Sequence, residues 1–435
     1  MQARKTAALY EQWQKVVAQK GAQIALRELG SGQEWTFQGL DGLARAAAPA
    51  PPLLHTTQTG LGLIVDVLRA WREGSVLLPD DSGSQFAPRA EPWPGEVCHL
   101  KITSGSGGER KMAMFVARQL IADAGQIIES MGLHDEQPNL ATISMAHSYG
   151  FSSLVLPLLL HGIPLWLLDH PLPETLRRAL EKAPVVCTLP AVPALWRAWH
   201  HAEVDFHKVA LGISAGAPLP VTLEAAEFQR SGFKIHNFYG STECGGIAYD
   251  ATPLPRTDPT LAGTPLKGVH TSLHDGCLRV HSPATGIGYS GDATPWEPGI
   301  YQTQDYALLN DHGAVHLLGR AGETISIAGY KVAPETVEAA FQQLPGVKHC
   351  LVFGVPSPDP VRHEEIVVCL HHDADVSLAD LRTSLPNLPS ACLPRHWWSC
   401  PDLHPDARGK YSRPAWRQRW LTEQASPKNS AQTSE

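Results

Sequence analysis

The sequence predicts an α/β protein: a large N-terminal domain of α/β subdomains that includes a β-rich part, followed by a small α+β C-terminal domain. Three observations carry this prediction. From about residue 60 onward, helical patterns alternate with short apolar strands, which is how a substantial parallel sheet with crossover helices reads. Residues 263–318 change to short strands bounded by turns. After Gly319 the pattern restarts as helix, strand, strand, helix over about a hundred residues, a usual domain size. The boundaries are 1–319 for the large domain and 320–422 for the small one, with 423–435 a polar tail expected to be disordered.

The N-terminus MQARKTAALYEQWQKVVAQK has a charged, helical pattern without an apolar signal core. The break AAAPAPP at 46–52 reads as a linker or exposed loop between that helical piece and the main body. Helices are expected over 60–71, 117–131, 173–182 and 221–231, with strands over 140–144, 164–168, 185–188 and 208–213. The β-rich stretch contributes strands 277–281 and 315–318. Beyond it come helix 334–343, strands 348–353 and 365–370, and helix 378–383.

At 435 residues, 43% hydrophobic and 18% charged, the chain can bury a large core. A formal net charge of -8 without clustered Lys/Arg excludes the electrostatic footprint of a nucleic-acid or anionic-membrane binder. The most apolar segment, 154–168, is interrupted by Pro157, His161 and Pro164, so membrane insertion is not expected and a cytoplasmic location is. Eight scattered cysteines form no C-x-x-C pair and no zinc spacing, which suits buried, reduced thiols.

The most telling stretch is Thr103-Ser104-Gly105-Ser106-Gly107-Gly108-Glu109-Arg110-Lys111. Glycines let backbone approach a ligand, hydroxyls and N–H groups donate to anionic oxygens, and a lysine adds a point charge. It follows the apolar run 97–102, at a strand-to-loop exit. A P-loop NTPase and a G-x-G-x-x-G dinucleotide fingerprint both need glycine where Arg110 stands, so the loop cradles phosphate in another way.

Four further segments follow in order: Asn237-Phe238-Tyr239-Gly240-Ser241-Thr242-Glu243, Tyr301-Gln302-Thr303-Gln304-Asp305, Gly319-Arg320, and Pro405-Asp406-Ala407-Arg408-Gly409-Lys410-Tyr411-Ser412-Arg413. With the phosphate loop, their order and spacing resemble the ANL superfamily of adenylate-forming enzymes: acyl- and aryl-CoA ligases, peptide-synthetase adenylation domains and luciferases. The resemblance runs from about residue 97 to 415. It implies an AMP-binding adenylation domain over 1–319 and a mobile lid over 320–422. It also implies ATP, Mg²⁺, and either CoA or the phosphopantetheine of an acyl carrier protein.

In that light, Thr103 to Gly108 and Lys111 hold the β,γ-phosphates. Tyr239 stacks on adenine, Thr242 donates to the α-phosphate and Glu243 holds Mg²⁺. Asp305 accepts from the ribose hydroxyls, as an acidic residue does in dinucleotide folds, and Arg320 reaches ribose or phosphate. The resemblance sets Lys410 between the substrate carboxylate and the α-phosphate, where an ammonium stabilises accumulating charge. Gly409 lets that loop insert. Thr242, Lys410 and His147 are the candidate catalytic residues. His147, in Met145-Ala146-His147-Ser148-Tyr149-Gly150-Phe151, matches the H-x-Y-G-[FL] pattern of acyl- and aryl-CoA ligases and gates substrate. The aspartate that binds an amino-acid substrate's ammonium is absent there.

Ser214-Ala215-Gly216-Ala217-Pro218-Leu219 resembles the family segment S-G-G-A-P-L, which places Gly216 and Ala217 along adenine and the acyl pocket. The same residues include Gly212-Ile213-Ser214-Ala215-Gly216, which fits the G-x-S-x-G elbow of serine hydrolases. A hydrolase using Ser214 is therefore a rival reading. Against it, Pro218 and Pro220 delay the next helix, whereas an elbow serine runs directly into one.

The chain departs from the family's usual T-S-G-T-T-G-x-P-K by having Gly107 and Arg110, so altered ATP affinity is expected. The hinge position falls on Gly322, or on Glu323 with a one-residue slip. Ser326 stands where many members carry a lysine, and Gly329 near the pantetheine tunnel is kept. The region ahead of the phosphate loop is shorter than in most members. Phe238, in Asn237-Phe238-Tyr239-Gly240, resembles the N-I-Y-G form of benzoate-type CoA ligases and lines a flat aryl pocket. The implied reaction joins a small carboxylic acid, aryl and hydroxybenzoate-like or short acyl, to CoA through an acyl-adenylate. The alternative acceptor is a phosphopantetheinyl carrier protein.

Overall fold

The computed structural model describes residues 5–80, 93–104, 110–292, 294–328, 330–359, 362–383, 388–405 and 411–425. The chain divides into two compact units. The first comprises Met1–His274, Leu278–Thr303 and Leu309–His316, and the second Asp275–Cys277, Gln304–Leu308 and Leu317–Glu435.

The first unit is built on a parallel core of six strands in the order Ile235–Ser241, Val209–Ser214, Cys187–Ala191, Asn139–Ala141, Leu165–Leu167, Ile24–Glu28. Antiparallel strands Gly245–Tyr249 and Leu261–Pro265 extend it beyond Ile235–Ser241. Helices Pro173–Lys182, Pro193–His201 and Val221–Ser231 cross between the parallel strands. Trp196, Trp199, Phe206 and Leu223 fill the space between these helices and the sheet. A second sheet runs Gly288–Tyr289, Arg110–Val116, Val97–Ser104, Val76–Pro79, Leu53–Thr56. Helix Ala117–Met131 follows it, as expected.

Two sequence expectations are corrected here. The N-terminal piece is not set apart from the main body. Strand Ile24–Glu28 pairs with Leu165–Leu167, and Leu9, Trp13 and Phe37 lie fully buried in the same cluster as Leu63, Trp71 and Leu158. The strand expected over 185–188 is displaced to Cys187–Ala191. The strand continues through Pro190, which stands opposite Ile213 and whose carbonyl accepts from the Thr142 hydroxyl at 2.5 Å. Among the described residues no helix is long and apolar enough to cross a membrane.

The second unit packs helix Pro334–Phe341 on a sheet in the order Val347–Pro356, Glu364–His372, His396–Ser399. The third of these strands, parallel to its neighbour, was not anticipated. Helix Arg413–Ala425 reaches three residues into the stretch expected to be a tail from 423, because Trp416, Trp420 and Leu421 pack on the sheet. Its first residue is an anchor. Arg413 lies 2.9 Å from Glu338 and 3.0 Å from Glu335, and also pairs with Glu323.

Burial pushes the Glu338 carboxyl up to about 7, against the pull of Arg413 and with the push of Glu335. A carboxyl whose folded pKa is raised binds its proton in the native state where the unfolded chain has released it. Stability therefore falls as pH rises from about 4.5 to about 7. Thermal midpoints should drop across that window by the equivalent of roughly 1–3 kcal/mol, and Glu338→Gln should flatten the dependence. An unchanged slope in the variant would assign it to other groups.

Candidate active site

The C-terminal ends of the parallel strands converge on one edge, the place where open α/β sheets bind ligands. Three of the singled-out segments begin there. Ser214 ends one strand and leads into the Ala215–Leu219 segment. The His147 segment follows strand Asn139–Ala141. Strand Ile235–Ser241 carries Phe238 and Tyr239, and its turn into Gly245–Tyr249 holds Thr242 and Glu243, both half-buried. One strand thus presents the aryl-pocket, adenine and metal candidates in succession.

The structure brings the His147 segment to this strand. Tyr149 packs against Phe238 with ring centroids 6.0 Å apart, and its hydroxyl donates to the Ile213 carbonyl at 3.4 Å. Burial pushes the Tyr149 phenol far up, so it stays a donor. His147 is half-buried at the start of a short helical turn, and its carbonyl accepts from Phe151 N at 2.8 Å. Residues Phe151–Val155 then form a π-helical turn, a local irregularity frequent at functional sites. Gly150 is required because a Cβ there would lie 2.0 Å from the Ser144 carbonyl. Gly216 is exposed and left-handed, with φ of +85°, and Ala217 beside it is half-buried.

Strands Val97–Ser104 and Arg110–Val116, which flank the candidate phosphate loop, pair antiparallel with Thr103 opposite Lys111. The loop is therefore the closure of a β-hairpin. Thr103 is buried and Lys111 exposed. Gly105, Ser106, Gly107 and Gly108 lie outside the described residues, and for Ser104 only the backbone is described. The Lys111 ammonium sits 4.9 Å over the Tyr289 ring. The Tyr289 hydroxyl donates to Glu243 Oε1 at 2.7 Å and lies 3.0 Å from the Tyr301 hydroxyl, while Trp296 packs edge-on to Tyr289 at 4.9 Å. Burial, with the Glu243 charge second, pushes the Tyr289 phenol far up. Tyr289 thus connects Lys111, at the end of this hairpin, to the Glu243 carboxylate.

Neither Tyr289 nor Trp296 was singled out from sequence. The clustering of three aromatics over 289–301 was the available signal.

Beneath the turn lies an ionic cluster that sequence reasoning also missed. Lys101, on the phosphate-hairpin strand, is 3.6 Å from Asp123 and donates to Ser152 Oγ at 3.2 Å, and Ser152 donates to Asp123 at 2.5 Å. Asp123 also accepts from Gly246 N at 3.1 Å. Burial pulls the Lys101 ammonium down and Asp123 holds it up. Gly245, with φ of +71°, fits only as glycine, since a Cβ would lie 2.1 Å from Asp123 Oδ1. The cluster fastens the turn holding Thr242 and Glu243 to the hairpin strand.

The hydrolase alternative fails here. Ser214 is completely buried, its Oγ finds no hydrogen-bond partner among the described residues, and the next helix starts only at Val221. A nucleophilic serine needs exposure and a base within reach.

In the second unit, Arg320 Nε donates to Asp305 Oδ1 at 3.2 Å. The turn after Arg320 is tight, with Glu323 N and Thr324 N both on the Arg320 carbonyl at 3.0 Å. Glu323, the slipped hinge candidate, is engaged by Arg413, and Ser326 N donates to Glu364 at 2.7 Å. Gly329, Gly409 and Lys410 lie outside the described residues.

This fold is that of the adenylate-forming enzymes. An o-succinylbenzoate CoA synthetase from Bacillus subtilis, solved with its acyl-adenylate intermediate, superposes with a TM-score of 0.78 at 17% identity, covering 93% of this chain and 97% of that one. The chain belongs to the family of AMP-binding enzymes, whose sequence profile matches residues 52–286, more than half of it. A feruloyl-CoA synthase from an Amycolatopsis species is 28% identical over 67% of this chain and 64% of its own length. A "Probable 2-succinylbenzoate--CoA ligase" of Mycobacterium tuberculosis (strain CDC 1551 / Oshkosh) is 30% identical over 60% of this chain and 67% of its own. The chain spans about two thirds or less of the length of the curated relatives it matches.

Proposed function

We propose that this protein is an ATP-dependent carboxylate–thiol ligase. It forms an acyl-adenylate and pyrophosphate, then passes the acyl group to CoA. The observation that carries the reading is the convergence on strand Ile235–Ser241 and its turn. Phe238 meets Tyr149 on one side, and Glu243 meets Tyr289 and the phosphate hairpin on the other. That order suits a carboxylate held next to the α-phosphate of a nucleotide whose outer phosphates rest on the hairpin.

A carboxylate is a poor electrophile, and transferring AMP to it creates a good leaving group for thiol attack. In this proposal residues 1–319 adenylate and 320–422 act as the lid, in a cytoplasmic setting. Thr242 and Lys410 stabilise charge at the α-phosphate, Tyr239 stacks on adenine with Gly216 and Ala217 alongside, and Asp305 and Arg320 bind ribose. His147 gates the acid. Glu243 fits Mg²⁺: it is a hard oxygen donor with Oε1 oriented by Tyr289, and among the described residues Oε2 accepts no hydrogen bond. Bound there, the ion would neutralise phosphate charge.

The proposed acid is small and planar, such as a hydroxybenzoate-like aryl acid. Phe238 is 6% exposed and fills the volume a longer chain would need. Phe238→Gly should shift preference toward longer acids, read as kcat/KM across a chain-length series below the variant's melting temperature. An unchanged ranking would make Phe238 core only.

The reaction itself is tested by pyrophosphate release with a panel of carboxylic acids, with CoA, with a phosphopantetheinyl carrier protein, and with neither. The expected result is acid-dependent release and a thioester formed with CoA. Release with no acid in the panel responding would overturn the reading, and thioester formed only on the carrier would reassign the acceptor.

A further inference from the structure

The second unit carries a group that none of the adenylation chemistry uses. On strands Val347–Pro356 and Glu364–His372, His349 stands directly opposite His371. The same face continues with Leu351 opposite Cys369 and Phe353 opposite Val367, all packed under Trp398, Trp416 and Trp420. The two imidazoles therefore continue this apolar row, with the Tyr411 ring 6.2 Å from that of His349. A third imidazole closes the group. Cys400 N bonds to the Leu370 carbonyl at 2.8 Å and Leu403 is fully buried, which delivers His404 beside the pair. Ring centroids are 5.5 Å for His349 and His371, 5.4 Å for His349 and His404, and 4.9 Å for His371 and His404.

We infer that His349, His371 and His404 form a binding site for a borderline divalent transition ion such as Zn²⁺. One ring nitrogen from each lies within 4.8 Å of the others. Tetrahedral coordination at a Zn–N distance of about 2.0–2.1 Å needs donors roughly 3.4 Å apart, so small rotations of the rings, His404 being exposed, close the set. Two further observations point to a ligand. His371 Nδ1 is buried without a hydrogen-bond partner among the described residues, an orphan that calls for an explanation. The Tyr411 hydroxyl lies 2.8 Å from His349 Nδ1, an outer partner of the kind that orients a ligating imidazole through its second nitrogen.

Three neutral imidazoles select Zn²⁺, Co²⁺, Ni²⁺ or Cu²⁺ over the oxygen-seeking Mg²⁺ that accompanies ATP. Three protein ligands leave a fourth position for water or another ligand. In sequence His404 stands six residues before Lys410, so a bound ion would cross-link the approach to that loop to the sheet. The site is independent of the reaction proposed for the chain.

The test is Zn²⁺ titration of the full chain by calorimetry, with Co²⁺ absorption reporting the geometry and Mg²⁺ as control. The expected result is one tight equivalent of Zn²⁺, tetrahedral Co²⁺ bands, and loss of both in His371→Ala and in His404→Ala. His404 is exposed, so the second variant keeps the fold. Tyr411→Phe should weaken binding by about 10–100-fold. No tight equivalent in the wild type, or one that survives His404→Ala, would overturn the site and leave three packed imidazoles.

Discussion

Lys410→Ala is expected to slow acyl-adenylate formation by roughly 10²–10³-fold, the usual loss when one donor to a developing negative charge is removed. The same variant should form thioester from a supplied acyl-adenylate at the wild-type rate. The reason is that charge builds on the carboxylate and the α-phosphate only in the first half-reaction. Once the adenylate exists, the attacking group is a thiol and the departing group is AMP. The check is pyrophosphate exchange for the first step and thioester formation from synthetic adenylate for the second. Equal losses in both would show that Lys410 serves the fold or general binding rather than one step.

The largest stability effect is expected at Glu224. This carboxylate is completely buried in helix Val221–Ser231 and carries two cations: it pairs with Lys234 and lies 2.9 Å from Arg256 Nε. It also accepts from Arg256 N at 2.8 Å, and Lys234 is shared with Asp250 at 2.8 Å. Two anions and two cations thus balance where water cannot reach. Removing one partner leaves a buried charge uncompensated, so Glu224→Ala should cost about 3–5 kcal/mol, measured by urea unfolding. Glu224→Gln, which keeps the volume and a carbonyl acceptor, should cost less. Equal losses would indicate that the lost charge rather than the lost volume sets the whole penalty. The network also bears on function, because Arg256 Nη2 donates to the Leu219 carbonyl at 2.8 Å and so pins the end of the Ser214–Leu219 segment beside the proposed adenine site.

The parts of the site that were readable in the sequence are those whose chemistry is local. A phosphate cradle needs consecutive small residues and a nearby lysine, and the Thr242-Glu243 turn needs its neighbours Gly240 and Gly245, so these motifs stand out as strings. Element positions were equally readable where periodicity was uninterrupted. Helices Ala117–Met131, Pro173–Lys182 and Val221–Ser231 fall on their expected bounds. The strand expected over 185–188 was displaced because its position is set by pairing with Val209–Ser214 and with Asn139, both distant in the chain. Ser214 matched a hydrolase pattern that five residues cannot refute, and its burial does.

By itself, the sequence determined the α/β class and the order of the candidate segments proposed to bind a nucleotide, because each depends on a run of adjacent residues or one helical or strand period. Only the tertiary structure decided that Tyr289 joins Lys111 to Glu243, that Asp123 and Lys101 seat the Thr242-Glu243 turn, and that three histidines far apart in the chain share one corner. These depend on the register of strands and the docking of helices, and a one-residue slip of a strand would send its side chains to the opposite face of the sheet. That register is set by the summed packing of the whole core, which no short stretch of sequence contains.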